Sequence, residues 1–218
     1  MKVLVFFWLV QAASGAVIGQ DNMIPYGQLE RFSIKEQAKA TATQIRFDQL
    51  SASGSEHSRY PAGQLNGLCP GERFRGHRTL GGCSGFLLAP DTLVTAGHCL
   101  DYSRGCGNDA WVFGHVANTE GDFYRLANKD IYRCDAVLAY SRSEGRDFAV
   151  LKLERSVTGA KPFEGNFSGD VVVKDPVAVL GYPLGLPFTY SPGANVLKVD
   201  KPFLQADLDV HSQNSGSV

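Results

Sequence analysis

The chain has 218 residues, of which 44% are hydrophobic and 20% charged, with 21 Lys plus Arg against 22 Asp plus Glu and a net charge of −1. That is the composition of a globular protein, long enough for one large all-β domain or two small ones. A near-neutral chain without a basic run or an aromatic platform gives no reason to expect a nucleic-acid partner.

The first predicted element is a targeting segment. Lys2 precedes the unbroken apolar run "VLVFFWLV" (residues 3–10), and small residues follow in "QAASGA". Ser14 and Ala16 satisfy the small-residue preference of a signal peptidase, so residues 1–16 are expected to be removed. The run is too short for the ~20 residues that a helix needs to span a bilayer. The product is expected to be secreted, extracellular or periplasmic, with no membrane attachment after cleavage.

Residues 17–66 carry weak patterning. "SIKEQAKATATQI" has helix-favouring residues with little periodicity, and "QLSASGSEHSRYPAGQLNG" reads as a polar loop or linker. A propeptide, an N-terminal strand with a surface loop, or both fit this region.

From Cys69 onward the pattern changes to short β segments. They are expected at 83–90, 92–99, 110–116, 123–134, 147–154, 170–183, 194–200 and 203–209, punctuated by Gly, Pro, Asn and Asp. No amphipathic helix alternates with them, which favours an antiparallel barrel or sandwich over an α/β sheet. "DFAVLKLE" alternates well, with Ala149, Leu151 and Leu153 on one face.

Five cysteines, Cys69, Cys83, Cys99, Cys106 and Cys134, form no C-x-x-C pair and have no His at zinc-finger spacing. No metal site is expected, and in an oxidising compartment they read as bridges, with one left over.

Three stretches could carry chemistry. In "CSGFLLAPDTLVTAGHC" two apolar strands lead from Cys83 to a histidine, His98, beside Cys99. A bridge there would close a loop worth about 3 kcal/mol in the chain-entropy model, and would hold His98 against a rigid frame. In "DFAVLKL" Asp147 opens a buried strand and could orient an imidazole, or simply cap a turn. In "QNSGS" a tight turn exposes Ser215, although N-S-G is also a commonplace loop.

Together, the three resemble the trypsin-fold serine endopeptidases. "TAGHC", "DFAVLKL" and "NSGS" are similar to that family's histidine, aspartate and serine motifs, and they occur in its order. That order differs from the Ser, Asp, His order of α/β-hydrolases, whose G-x-S-x-G elbow would need Gly at 213 and 217, where Gln213 and Ser217 stand. Asn214 occupies the place of the aspartate that in animal trypsins pairs with a newly cut N-terminus. "NSGS", "VLGYPLGLP" and the short distance from Asp147 to Ser215 resemble the bacterial glutamyl-endopeptidase-like branch.

The resemblance implies an all-β fold of two six-stranded antiparallel Greek-key barrels, the second incomplete, over residues 67–218. It implies a catalytic triad of His98, Asp147 and Ser215, acting on a polypeptide substrate without a cofactor, in a monomer. The oxyanion hole would be the backbone N–H groups of Gln213 and Ser215. The family has glycine at the place of Gln213, since the loop there favours positive φ. Gln213 must then accept strain of about 1–3 kcal/mol or turn its N–H aside, and loss of one such donor costs about 10²–10³ in turnover. Reduced or conditional activity is expected.

Asp209, six residues before Ser215, stands where trypsins select Arg or Lys, and His211 lines the same approach. Glutamyl endopeptidases can also carry Asp there, so the substrate pocket of Asp209 and His211 leaves basic and acidic preferences open. The family continues well beyond its serine motif, so the domain is expected to be truncated at its C-terminus. Cys83–Cys99 is the first expected bridge and Cys106–Cys134 the second, with Cys69 unpaired; connectivity beyond the first pair does not follow from sequence. The alternative from another class is a catalytically inactive, protease-like secreted binding module.

Overall fold

A computed structural model of the chain describes residues 17, 20–101, 106–116, 119–143, 145–165, 170–201 and 203–218. The expected signal segment, residues 1–16, lies outside the described residues. The N-terminal half contributes β1 (Ile24–Pro25), α1 (Phe32–Ala38), β2 (Thr41–Arg46), β3 (Ser51–Ala52), β4 (His57–Pro61), β5 (Gly63–Gln64) and β6 (Arg78–Thr79). The middle of the chain forms β7 (Ser84–Ala89), β8 (Thr92–Thr95), β9 (Asp109–Phe113), β10 (Thr119–Glu120) and β11 (Phe123–Ala127). After these come β12 (Ile131–Ser143), β13 (Arg146–Leu153), β14 (Pro176–Gly181), β15 (Thr189–Asp200) and β16 (Phe203–Ala206). Among the described residues no helix is long and apolar enough to cross a membrane.

Six strands close into an antiparallel barrel in the order β12-β13-β8-β7-β2-β9. Alternation explains β13: Ala149, Leu151 and Leu153 point inward and are buried, with Leu87, Leu93 and Trp111 as neighbours in the same core. The barrel takes one of its strands, β2, from the weakly patterned region 17–66. Polar side chains are buried there because neighbouring carbonyls receive them. Thr41 Oγ1 donates to Ala38 O at 2.9 Å, and Gln44 Nε2 donates to Cys99 O at 3.0 Å.

The second barrel does not appear as a closed one among the described residues. In its place β1-β15-β14, with β16 paired to β15, make an open four-stranded sheet. Its own small core is Val177, Ala194 and Val196, with Leu204 and Leu208 packed against it. Val218 pairs with Leu180 in both directions, N–H to carbonyl at 3.1 Å and 2.6 Å, beside β14.

Several expected boundaries shift. The segment 92–99 leaves the strand at Thr95 and enters a 3₁₀ turn over Gly97–Leu100. The segment 123–134 is broken by a 3₁₀ turn at Asn128–Asp130, and β12 then runs on to Ser143. Strand 170–183 begins only at Pro176, because Lys174 takes a left-handed turn (φ 76°) just before it. The stretch 203–209 ends as a strand at Ala206. Both expected bridges are formed, Cys83–Cys99 and Cys106–Cys134, and Cys69 is an exposed free thiol.

Candidate functional site

The 3₁₀ turn after β8 carries His98, and the start of β13 carries Asp147. The two strands are neighbours, with Ala149 opposite Thr95, so the barrel's register brings the histidine turn to the aspartate. Asp147 grips His98 twice. Its Oδ2 lies 2.5 Å from His98 Nδ1, and its Oδ1 accepts the His98 backbone N–H at 2.8 Å. The first bond fixes the ring's tautomer, with the proton on Nδ1 and the lone pair on Nε2; the second fixes the backbone beneath the ring. The side chains retain 27% and 13% of their exposure, so the imidazole reaches solvent while the carboxylate is mostly shielded.

The turn is supported from three sides. The Cys83–Cys99 bridge holds its C-terminal side, and Gln44 donates to the Cys99 carbonyl. Gly97 is packed so closely that an added Cβ would meet Ser141 O at 2.5 Å and Asp147 Oδ1 at 2.9 Å. The glycine of "TAGHC" is thus required by the close approach of the β12–β13 hairpin.

Ser215 belongs to a loop that follows the open sheet, and this loop docks on the barrel. The Ser84 N–H on β7 donates to the Ser215 carbonyl at 2.8 Å. Asn214 Oδ1 accepts from Ser84 Oγ at 3.3 Å, and Ser84 Oγ in turn accepts the Tyr182 N–H at 2.9 Å. Gly216 takes φ 83°, and a Cβ there would collide with Ser84 O and Thr95 Oγ1. Only glycine allows the loop to lie this near the strand pair that leads to His98. Cys99 Sγ is 3.9 Å from the Ser215 carbonyl, so the serine's backbone sits beside the bridge that flanks the histidine.

Gln213 adopts φ 63° and is exposed. The residue keeps the left-handed conformation that the turn favours, despite its side chain. Asp209 is buried, and its Oδ2 accepts the Asn22 N–H at 3.1 Å. His211 is half-buried. Cys83, His98 and Cys99 lie close enough for three ligand atoms to share an ion, but both sulfurs are spent in the bridge, and metal binding requires thiolates.

Ser84, Thr95, Gln44 and Tyr182 all position the site, and sequence reasoning passed over them. Ser84 had one signal, its place next to Cys83. Thr95 opens the histidine motif and donates to Ser84 O on the neighbouring strand, and Gln44 and Tyr182 work through partners distant in sequence. Tyr182 O–H donates to Thr41 O at 3.1 Å, tying the end of β14 to the barrel; burial pushes its phenol above the usual range. The junction also holds His115, whose ring stacks on Tyr182 (5.9 Å between centroids) and meets Tyr124 edge-on at 4.8 Å. Among the described residues its Nε2 has no hydrogen-bond partner, and burial lowers its pKa from 6.5 to about 3.

A family model described as trypsin-like peptidase domain matches residues 83–218. No curated protein matches the sequence. Among solved structures, a Glu endopeptidase in complex with MPD aligns with a TM-score of 0.56 at 18% identity, over 93% of this chain and 80% of that one. That likeness shows a shared fold. The inactive form of the Rv3671c protease aligns with a TM-score of 0.48 at 16% identity, over 84% of this chain and 72% of that one.

Proposed function

The chain belongs to the trypsin-like peptidase domain family, and from that membership we propose that it is a secreted serine endopeptidase in which His98, Asp147 and Ser215 act as one unit. The observation that carries the reading is the double hold of Asp147 on His98, through Nδ1 and through the backbone N–H. It leaves Nε2 as the free base.

In this mechanism His98 Nε2 takes the proton from Ser215 Oγ as the oxygen attacks the scissile carbonyl. Asp147 stabilises the imidazolium that forms. The negative charge on the carbonyl oxygen is met by the N–H groups of Ser215 and Gln213. His98 then protonates the leaving amine and an acyl-enzyme remains; a water, deprotonated by the same imidazole, releases the acid. No step requires a metal or cofactor. The catalytic unit includes residues 20–66, because β2 is a stave of the barrel. Export agrees with two bridges in the described chain.

Gln213 favours a second reading, a protease-like binding module. A glutamine held at φ 63° carries backbone strain of about 1–2 kcal/mol, which turning its N–H away from the hole would relieve. A fluorophosphonate probe on the purified chain separates the two. Labelling of Ser215 that disappears in His98→Ala supports the endopeptidase; an inert Ser215 supports the binding module.

A further inference from the structure

Asp209 is the pocket candidate that trypsin-like selection of Arg or Lys would need, and the fold gives its carboxylate a different partner. It is 2% exposed, and its Oδ2 accepts the backbone N–H of Asn22, 187 residues away in sequence. Asn22 is held on its other side as well, since its Oδ1 accepts from Ser191 Oγ at 3.1 Å, and Ser191 is itself buried on β15. The residues around Asn22 are fixed with it. Arg73 pairs with Asp21 Oδ2 at 3.0 Å and donates to the Met23 carbonyl at 2.6 Å. The Met23 side chain is buried with Phe74 and Leu186. Ile24 and Pro25 then pair with Tyr190 and Thr189 of β15.

We propose that Asp209 is a positioning residue that fastens the N-terminal strap, residues 21–25, to the segment leading into the Ser215 loop, and that the peptidase therefore does not select cationic side chains through it. The substrate part rests on the endopeptidase reading; the anchoring part does not. A buried carboxylate requires a donor, and Asn22 supplies one from the backbone. A substrate Arg or Lys could take that place only by displacing the Asn22 N–H and by reaching a carboxylate with almost no solvent contact. The arrangement also ties strap and serine loop together, since Asp209 is only six residues from Ser215. Loosening the strap loosens the approach to the nucleophile.

The test uses the full chain with Asp209→Asn and Asp209→Ala. Amide exchange is read at Asn22 in the strap and at Tyr26, the residue just after it, and at Leu93 and Leu151 in the barrel as a control. Cleavage is read over peptides with Arg, Lys, Glu, Leu or Phe before the scissile bond. Asp209→Asn removes the charge but keeps an acceptor oxygen, so strap protection is expected to stay within about threefold of wild type and the cleavage profile to keep its shape. Asp209→Ala is expected to speed strap exchange by about tenfold or more with barrel protection retained, and to slow fluorophosphonate labelling of Ser215. Wild-type strap protection in Asp209→Ala, or selective loss of cleavage after Arg and Lys in Asp209→Asn, overturns the proposal. If Asp209→Ala does not fold, Asp209→Asn decides alone, since loss of strap protection there also overturns it. A wild-type chain that neither labels nor cleaves defeats the endopeptidase reading, and the exchange measurements still decide the anchor.

Discussion

The closed barrel and the open sheet hold their halves of the candidate site by different means. His98 and Asp147 sit on neighbouring barrel strands, and ring closure, a disulfide and the Gln44 amide all bear on the same turn. Ser215 follows an open sheet, and its loop is fixed mainly by docking on β7 through Ser84 and on β14 through the pairing of Val218 with Leu180. A closed sheet has no unpaired edge to fray, so His98 and Asp147 inherit rigidity from the fold. Ser215 depends on a few hydrogen bonds across the junction. The difference teaches that one half of such a site can be built in advance and the other assembled on it.

The largest expected effect falls within the rigid half. Asp147→Asn removes the charge that fixes the His98 tautomer, and kcat on a peptide substrate is expected to fall by about 10⁴ with the fold unchanged. A fall of less than tenfold would show that the barrel's grip on His98 is not functional.

Next comes the core. Trp111→Ala empties the centre of the barrel and is expected to cost about 3–5 kcal/mol in urea unfolding. Val196→Ala, in the small core of the open sheet, is expected to cost less and to raise amide exchange in β14 and β15 while the barrel strands stay protected. Equal exchange in both units would mean that they unfold as one body and would erase the contrast.

Removing the bridge with Cys83→Ser and Cys99→Ser is expected to cost about 3 kcal/mol, since it closes a loop of 16 residues in sequence separation. Labelling of Ser215 should slow as well, because both Ser84 and His98 adjoin the bridged cysteines.

The junction itself has a pH signature. The folded pKa of His115, about 3, lies below its unfolded value of 6.5 because burial opposes the charge. Above pH 6.5 neither state takes the proton. As pH falls from 6.5 towards 3 the unfolded chain binds a proton that the native state refuses, so stability drops by up to about 1.4 kcal/mol per pH unit. His115→Phe should flatten that part of a denaturation-against-pH curve.

The smallest expected effect is at Gln213. Gln213→Gly relieves the left-handed side chain, and stability is expected to rise by about 1 kcal/mol, with faster turnover. An unchanged kcat would indicate that the glutamine N–H already points into the oxyanion hole.

Much of the barrel half was legible along the chain. β13 shows strict alternation because one of its faces is buried and the other is not. The histidine and aspartate motifs carry their own punctuation, with Gly97 and Cys99 flanking His98. β2 was hidden because both of its faces are buried: the pattern "TATQIR" shows no solvent-facing side until Arg46, and its Thr and Gln side chains are satisfied by carbonyls at Ala38, Cys83 and Cys99. The length of β12 was hidden for the opposite reason, since Val137, Leu138 and Tyr140 are all exposed and alternate with nothing buried. At the substrate end, Asp209 looked like a receptor because spacing to Ser215 is visible, while its tie to Asn22 spans nearly the whole chain.

By itself, the sequence determined the family, the residues of the proposed triad, the bridge beside the histidine and the left-handed demand on Gln213. These are local: adjacent residues set backbone conformation and the chemistry of a motif. Only the tertiary structure decided which strand completes the barrel, how the serine loop is docked, and which donor meets a buried carboxylate. Those depend on which distant groups come within hydrogen-bonding range, and a hydrogen bond is worth forming only once the surrounding chain has excluded water from both partners.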